Sequence, residues 1–197
     1  MQSVSTEHRA AITRGSIRNH QSEIRYFSED PMPAPFNAII SGQFGAAIDM
    51  MERSIRACPD ALWGDREQQP EFWYTAFHAL FFLDYYLSGT MDGYLPPSPF
   101  TLDELNEEGL LPDRVYTKEE LLSFLEHGRG TLRDVLARDV EAMLAERCAF
   151  EWLDLNVAEL LLYNMRHVQH HAAQLNTLLR QHGVAAPRWV RKSPISR

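Results

Sequence analysis

Three histidines carry the spacing that could do chemistry in this chain. His167 and His171 lie four residues apart in LYNMRHVQHHAAQLNTLLRQHG, and His78 stands within the strongly apolar run FWYTAFHALFFLDYYL. Residues four apart on a helix are neighbours on one face, so His167 and His171 can aim their imidazoles at a common atom. A divalent transition metal explains why three imidazoles should share a core. Neutral ring nitrogens bond zinc at about 2.0–2.1 Å, replacing hydrogen bonds lost on burial. Imidazole ligation suits Zn, Ni, Co or Cu, and raw affinity does not choose among them; Zn and Ni are the leading expectations. Three protein ligands leave positions open for water or substrate, as in catalytic rather than structural sites. His170, three residues from His167, is an alternative to His171, although at 3.6 residues per turn it falls beside the site.

The stripe holding the pair reads Leu160, Asn164, His167, His171, Gln174 and Leu178, and that around His78 reads Tyr74, His78, Phe81 and Tyr85. Asn164 and Gln174 are either polar core residues satisfying each other or, with His170, groups standing behind the ligands and orienting them. Trp73, Tyr74 and Tyr85 read as core aromatics rather than substrate clamps. His8, His20, His127 and His182 read as surface or helix-end histidines, and the acidic run Asp103 to Glu108 as a solvated loop.

The elements that must position these residues are helical. Residues 1–35 are polar and weakly periodic, a tail or peripheral helix, and Pro35 opens a helix that runs to Ala57 with Ile39, Ile40, Phe44, Ala47, Ile48, Met51 and Ile55 on its buried face. Cys58-Pro59-Asp60 ends it. A second helix, Pro70 to Leu87, is apolar nearly all round and stops at Ser88-Gly89, so it should be the most buried of the domain. A long connection, Gly89 to Tyr116, follows; such connections usually cap a site or cross the end of a bundle. Thr117 and Glu120 form a capping box opening a third helix to about Arg147, bent at Gly128 and Gly130. A fourth helix spans Asn156 to His182 and ends at Gly183. Cys148 to Leu153 is the one short strand candidate. The fold class is therefore all-α: a four-helix bundle over residues 36–185 with a long connection between its second and third helices, then a C-terminal tail, 186–197.

Composition narrows the function. The chain has 197 residues and a net charge of −8, which argues against nucleic acid, whose phosphates need clustered Lys and Arg, and against anionic membranes. The apolar stretch Ala76 to Leu83 is too short to span a bilayer. The N-terminus lacks an apolar signal core, so the expectation is a cytoplasmic protein acting on a small molecule. The two cysteines, Cys58 and Cys148, sit in no metal or redox motif and read as inert thiols.

The helix FWYTAFHALFFLDYYLSG with its single histidine and the final helix with HVQHHAAQL resemble the DinB/YfiT-like superfamily of metal-binding four-helix bundles. The resemblance covers roughly 36–182, including the Leu62-Trp63 pair after the first helix. It implies that His78, His167 and His171 are metal ligands and that the long crossing lies at Gly89 to Tyr116. It also implies a homodimer. Some members are thiol-dependent transferases or isomerases using bacillithiol, mycothiol or glutathione, and others resemble metal-dependent hydrolases. The leading expectation is a thiol S-transferase bringing a low-molecular-weight thiol to a small electrophile. The alternatives are a metal-dependent hydrolase, or a metal-binding or stress-response protein without turnover.

Overall fold

The computed structural model describes residues 35–106, 111–138 and 140–195. The expected tail or peripheral helix over 1–35 lies, but for Pro35, outside them, as do Glu107 and Glu108 of the acidic run. Among the described residues the chain forms α1 (Phe36–Ala57), α2 (Asp60–Trp63), α3 (Phe72–Ser88), α4 (Lys118–Leu136), α5 (Val140–Leu144) and α6 (Val157–Gln181). There is no strand among them: Cys148 to Leu153 forms a turn, its ends closed by a single antiparallel bridge between Arg147 and Asn156.

Start signals in the sequence fix two of the long helices. Thr117 and Glu120 make a reciprocal capping box at α4, and Asn156 and Glu159 do the same at α6, with backbone-to-side-chain distances of 2.8–3.1 Å. The expected third helix is broken in two. After Leu136 the N–H of Ala137 and of Arg138 bond the carbonyls of Arg133 and Val135, a tightened last turn that ends α4. No Pro or Gly marks this stop. Gly128 and Gly130 do not interrupt α4; a Cβ at Gly128 would stand 2.8 Å from Cδ2 of Leu83, so the glycine serves close packing of α4 on α3.

The four long helices pack in the ring α1–α6–α3–α4, which places α1 and α3 on a diagonal. α3 is buried at every position except Tyr74, His78, Phe82 and Ser88. Its Phe72, Phe77 and Phe81 are fully buried, each contributing on the order of 1.5–3 kcal/mol by removal from water.

The connection after α3 explains its own length. Tyr94 packs at the α3 C-terminal end, Phe100 beside Phe77, and Tyr116 beside Trp73 at the start of α3. The chain thus returns along α3 before α4 begins, and α4 runs parallel to its neighbour, with Gly128 opposite Leu83. Parallel neighbours require such a return, whereas antiparallel ones need only a short loop. The buried carboxylate of Asp84 anchors the start of this return: it accepts from the Tyr94 hydroxyl at 2.9 Å and pairs with Nε2 of His127 at 3.2 Å. Burial pushes the Asp84 carboxyl above its ordinary range, opposed by Tyr94 and His127. His127, expected as a surface residue, is half-exposed and has this structural partner.

Residues 190–195, expected as part of a tail, are tied along α1. Ser193 N–H donates to the Gly42 carbonyl at 3.0 Å, and Ile195 N–H to Oγ of Ser41 at 2.9 Å. A Cβ at Gly45 would overlap the Ser193 carbonyl oxygen, so this contact exists because the residue is glycine.

Candidate metal centre

The three histidines meet at the seam of α3 and α6. The helices run antiparallel there: Asn164 Nδ2 donates to the Leu83 carbonyl at 3.0 Å, and one to two turns further along α6 the rings of His167 and His171 lie 5.3 and 4.8 Å from that of His78. One potential ligand atom from each of His78, His167 and His171 lies within 4.8 Å of the other two. Nε2 of His167 faces Nε2 of His171 at 3.1 Å. His170 is exposed on α6 and stands outside the cluster, its ring 5.1 Å from that of His171.

Neither stripe is placed as the sequence suggested. The open face of α3 is Tyr74, His78 and Phe82, spaced by four, while Phe81 and Tyr85 turn into the core. On α6 the core stripe is Leu161, Asn164, Val168, Ala172, Leu175 and Leu179, and the histidines flank it half-buried. The cluster therefore sits half-buried at the rim of the core rather than sealed within it. Trp73 and Tyr85 are core aromatics as expected, but Tyr74 lies on the open stripe beside the imidazoles.

Hydrogen bonds behind the rings set their protonation. Nδ1–H of His171 donates to Oε1 of Gln174 at 2.7 Å, which leaves a lone pair on Nε2 toward the cluster. Nδ1–H of His78 donates to Oε2 of Glu104 at 2.6 Å. Glu104, expected in a solvated acidic loop, has a side chain only 4% exposed. A short helical turn, Asp103–Leu105, directs it inward, and no periodicity in the sequence announced that. Asn164 and Gln174 do not satisfy each other: Gln174 stands behind His171, whereas the Asn164 amide is spent on the α3 backbone. Nδ1 of His167 and Oδ1 of Asn164, one turn earlier on α6, are buried without a hydrogen-bond partner among the described residues.

Electrostatics keep His167 and His171 neutral. Burial, then the neighbouring imidazoles, lower His167 to about 3. Burial and His78, opposed by Gln174, bring His171 to about 4. At neutral pH these are unprotonated nitrogens, the form that ligates a metal. Burial and the Glu104 carboxylate raise the Tyr74 hydroxyl well above its usual range, so it stays a donor. Cys58 and Cys148 are both buried and unpaired, and burial, only partly offset by Lys118, pushes the Cys58 thiol up to about 12. These two residues offer no surface nucleophile.

Three imidazoles converging from two helices, two of them with outward nitrogens held by acceptors, match the donor chemistry of a divalent transition-metal site. The class is a four-helix bundle that could hold an ion at one helix seam. The family model for the DinB superfamily matches residues 43–175, and the chain belongs to that superfamily. No curated protein matches it.

Proposed function

We propose that this protein is a metal-dependent enzyme that transfers a low-molecular-weight thiol to a small electrophile, with His78, His167 and His171 holding Zn or Ni. The convergence of the three imidazoles at a half-open seam carries the reading, because three protein ligands leave coordination positions free. A divalent ion bound there supplies Lewis acidity, lowering the pKa of a bound thiol or water. Tyr74, protonated and beside Glu104, offers a hydrogen-bond donor at the mouth, and Phe82, its ring 4.9 Å from that of His78, offers an apolar wall. Both cysteines being buried, the thiol comes from solution.

A hydrolase is the second reading. It draws on Glu104, Tyr74, Phe82 and Gln174 beside the imidazoles, an acceptor, a donor, an apolar wall and an amide, with no lysine or arginine among them to bind the carboxylates of a peptide-like thiol. Metal analysis of purified protein, then a screen of several thiols with a chromogenic electrophile, tests both. Thiol-dependent turnover abolished by a chelator supports the transferase. Metal-dependent turnover indifferent to thiol would replace it with the hydrolase, and bound metal without turnover would leave a binding protein.

A further inference from the structure

We propose that Glu104 is a positioning residue for His78: its carboxylate fixes the tautomer that presents Nε2 to the other two histidines, and so couples ion binding to the α3–α4 connection. This rests on the metal-site reading above. A carboxylate is among the costliest groups to bury, so its enclosure in an otherwise wet segment needs a cause. Leu102, Leu105 and Asn106 beside it are exposed, while the Glu104 side chain is 4% exposed. The turn that carries it is closed by Leu105 N–H to the Leu102 carbonyl and Asn106 N–H to the Asp103 carbonyl, at 2.9 and 3.0 Å. Phe100 and Tyr116, buried on either side of the turn, hold the segment against α3.

The chemical consequence follows from proton counting. A neutral imidazole has one N–H, and an ionised carboxylate only accepts. At 2.6 Å the Glu104 oxygen therefore keeps the proton on Nδ1 of His78 and leaves Nε2 as a lone pair. Without that acceptor the side chain reverts to a mixture of tautomers, one of which points N–H at the site. The carboxylate also makes the imidazole a better donor, and a positive ion beyond the ring offsets the buried negative charge. Its second oxygen, Oε1, is buried without a well-aligned hydrogen bond, and the Tyr74 hydroxyl interacts with the same carboxylate. Ion, His78, Glu104 and the connection thus form one chain of contacts.

The test uses the full chain and its Glu104→Ala, Glu104→Asp and Glu104→Gln variants, with far-UV circular dichroism to confirm folding. In ion-free protein, imidazole nitrogen NMR should show His78 protonated at Nδ1 in wild type and in Glu104→Gln, whose amide oxygen still accepts. The alanine and aspartate variants should move toward Nε2–H, the aspartate because it is one methylene too short. Zinc affinity by competition with a chromophoric chelator should fall roughly 10–100-fold in those two variants and less in Glu104→Gln. Zinc should slow amide exchange over residues 100–106 in wild type but not in Glu104→Ala. An unchanged tautomer and zinc affinity in either short variant would overturn the positioning role while leaving the metal site standing, and the aspartate variant decides if the alanine one does not fold. Wild type that binds neither zinc nor nickel would sink the metal reading and the ion coupling with it, whereas the ion-free tautomer still decides whether Glu104 orients His78.

Discussion

His167 and His171 differ from His170 by where the helix turns them, and that difference should be measurable. The first two share a face with His78, while His170 is exposed beside it. Replacing His167 and His171 together with Ala should abolish binding of about one zinc or nickel per chain, whereas His170→Ala should keep most of it. Full occupancy in the double variant, read by elemental analysis, would refute the site. The same two residues set a pH dependence. Their folded-state values, about 3 and about 4, lie below the ordinary histidine value near 6.5. The unfolded chain therefore takes up protons that the folded chain refuses as pH falls from roughly 6.5 toward 4, and stability drops across that window. Urea unfolding of ion-free protein at pH 7 and pH 5 should show the loss, with a shallower slope in the double variant. An equal slope would assign the acid sensitivity to other groups.

At the scale of elements, what the sequence could show was whatever depends on local pattern. The apolar α3, the Thr117 box and the stops at Gly89 and Gly183 are written in neighbouring residues, and the helices follow them. The histidine spacing was legible for the same reason, since one helical turn fixes which side chains are neighbours. Contacts made across the fold were not legible. The break after Leu136 has no local breaker, the stripe around the histidines is rotated by packing against α3, and Glu104 reaches His78 only because the connection retraces the helix. Glycines show the same division. Gly45 is required by a carbonyl nearly 150 residues away, whereas nothing stands within 4 Å of a Cβ at Gly130. The same substitution should thus have opposite signs. Gly130→Ala should stabilise by about 0.5–1 kcal/mol, through helix propensity alone. Gly45→Ala should cost about 1–3 kcal/mol, or release the C-terminal strap. Denaturant melts give the signs, and trypsin cleavage at Arg191 or Lys192 reports release; a stabilised Gly45→Ala with an uncut strap would contradict the packing described here.

For the whole molecule, no described helix is long and apolar enough to cross a membrane. The expected homodimer remains a proposal: α3 leaves only Tyr74, His78, Phe82 and Ser88 uncovered, so a partner would have to meet mainly other helices, and a monomer mass by light scattering at micromolar concentration would rule out a stable dimer. The ion, by contrast, should act on the stability of the entire fold. Its ligands come from α3 and α6, which meet only in the folded chain, so binding favours that state by mass action. At a free ion concentration one hundred times the dissociation constant, the gain is about 2.7 kcal/mol. In a chain of this size each kcal/mol moves the melting temperature by roughly 2–4 °C, so chelation should lower it by roughly 5–11 °C. The ion-free protein should nevertheless stay folded. Its core runs through all four long helices and is built of large buried side chains such as Phe44, Phe77, Phe124 and Phe150, none of which depends on the seam. A zinc finger, with no such core, unfolds when its metal is removed. Because the ligands must be neutral, the ion-dependent increment should persist at pH 5.5 and fade only as pH nears the values of about 3 and about 4 that His167 and His171 have in the ion-free fold. Thermal melts with and without chelator, at pH 7 and pH 5.5, separate the two claims. An unchanged melting temperature in protein shown beforehand to be loaded would refute an ion bridging α3 and α6, and complete unfolding on chelation would refute a core that stands without it.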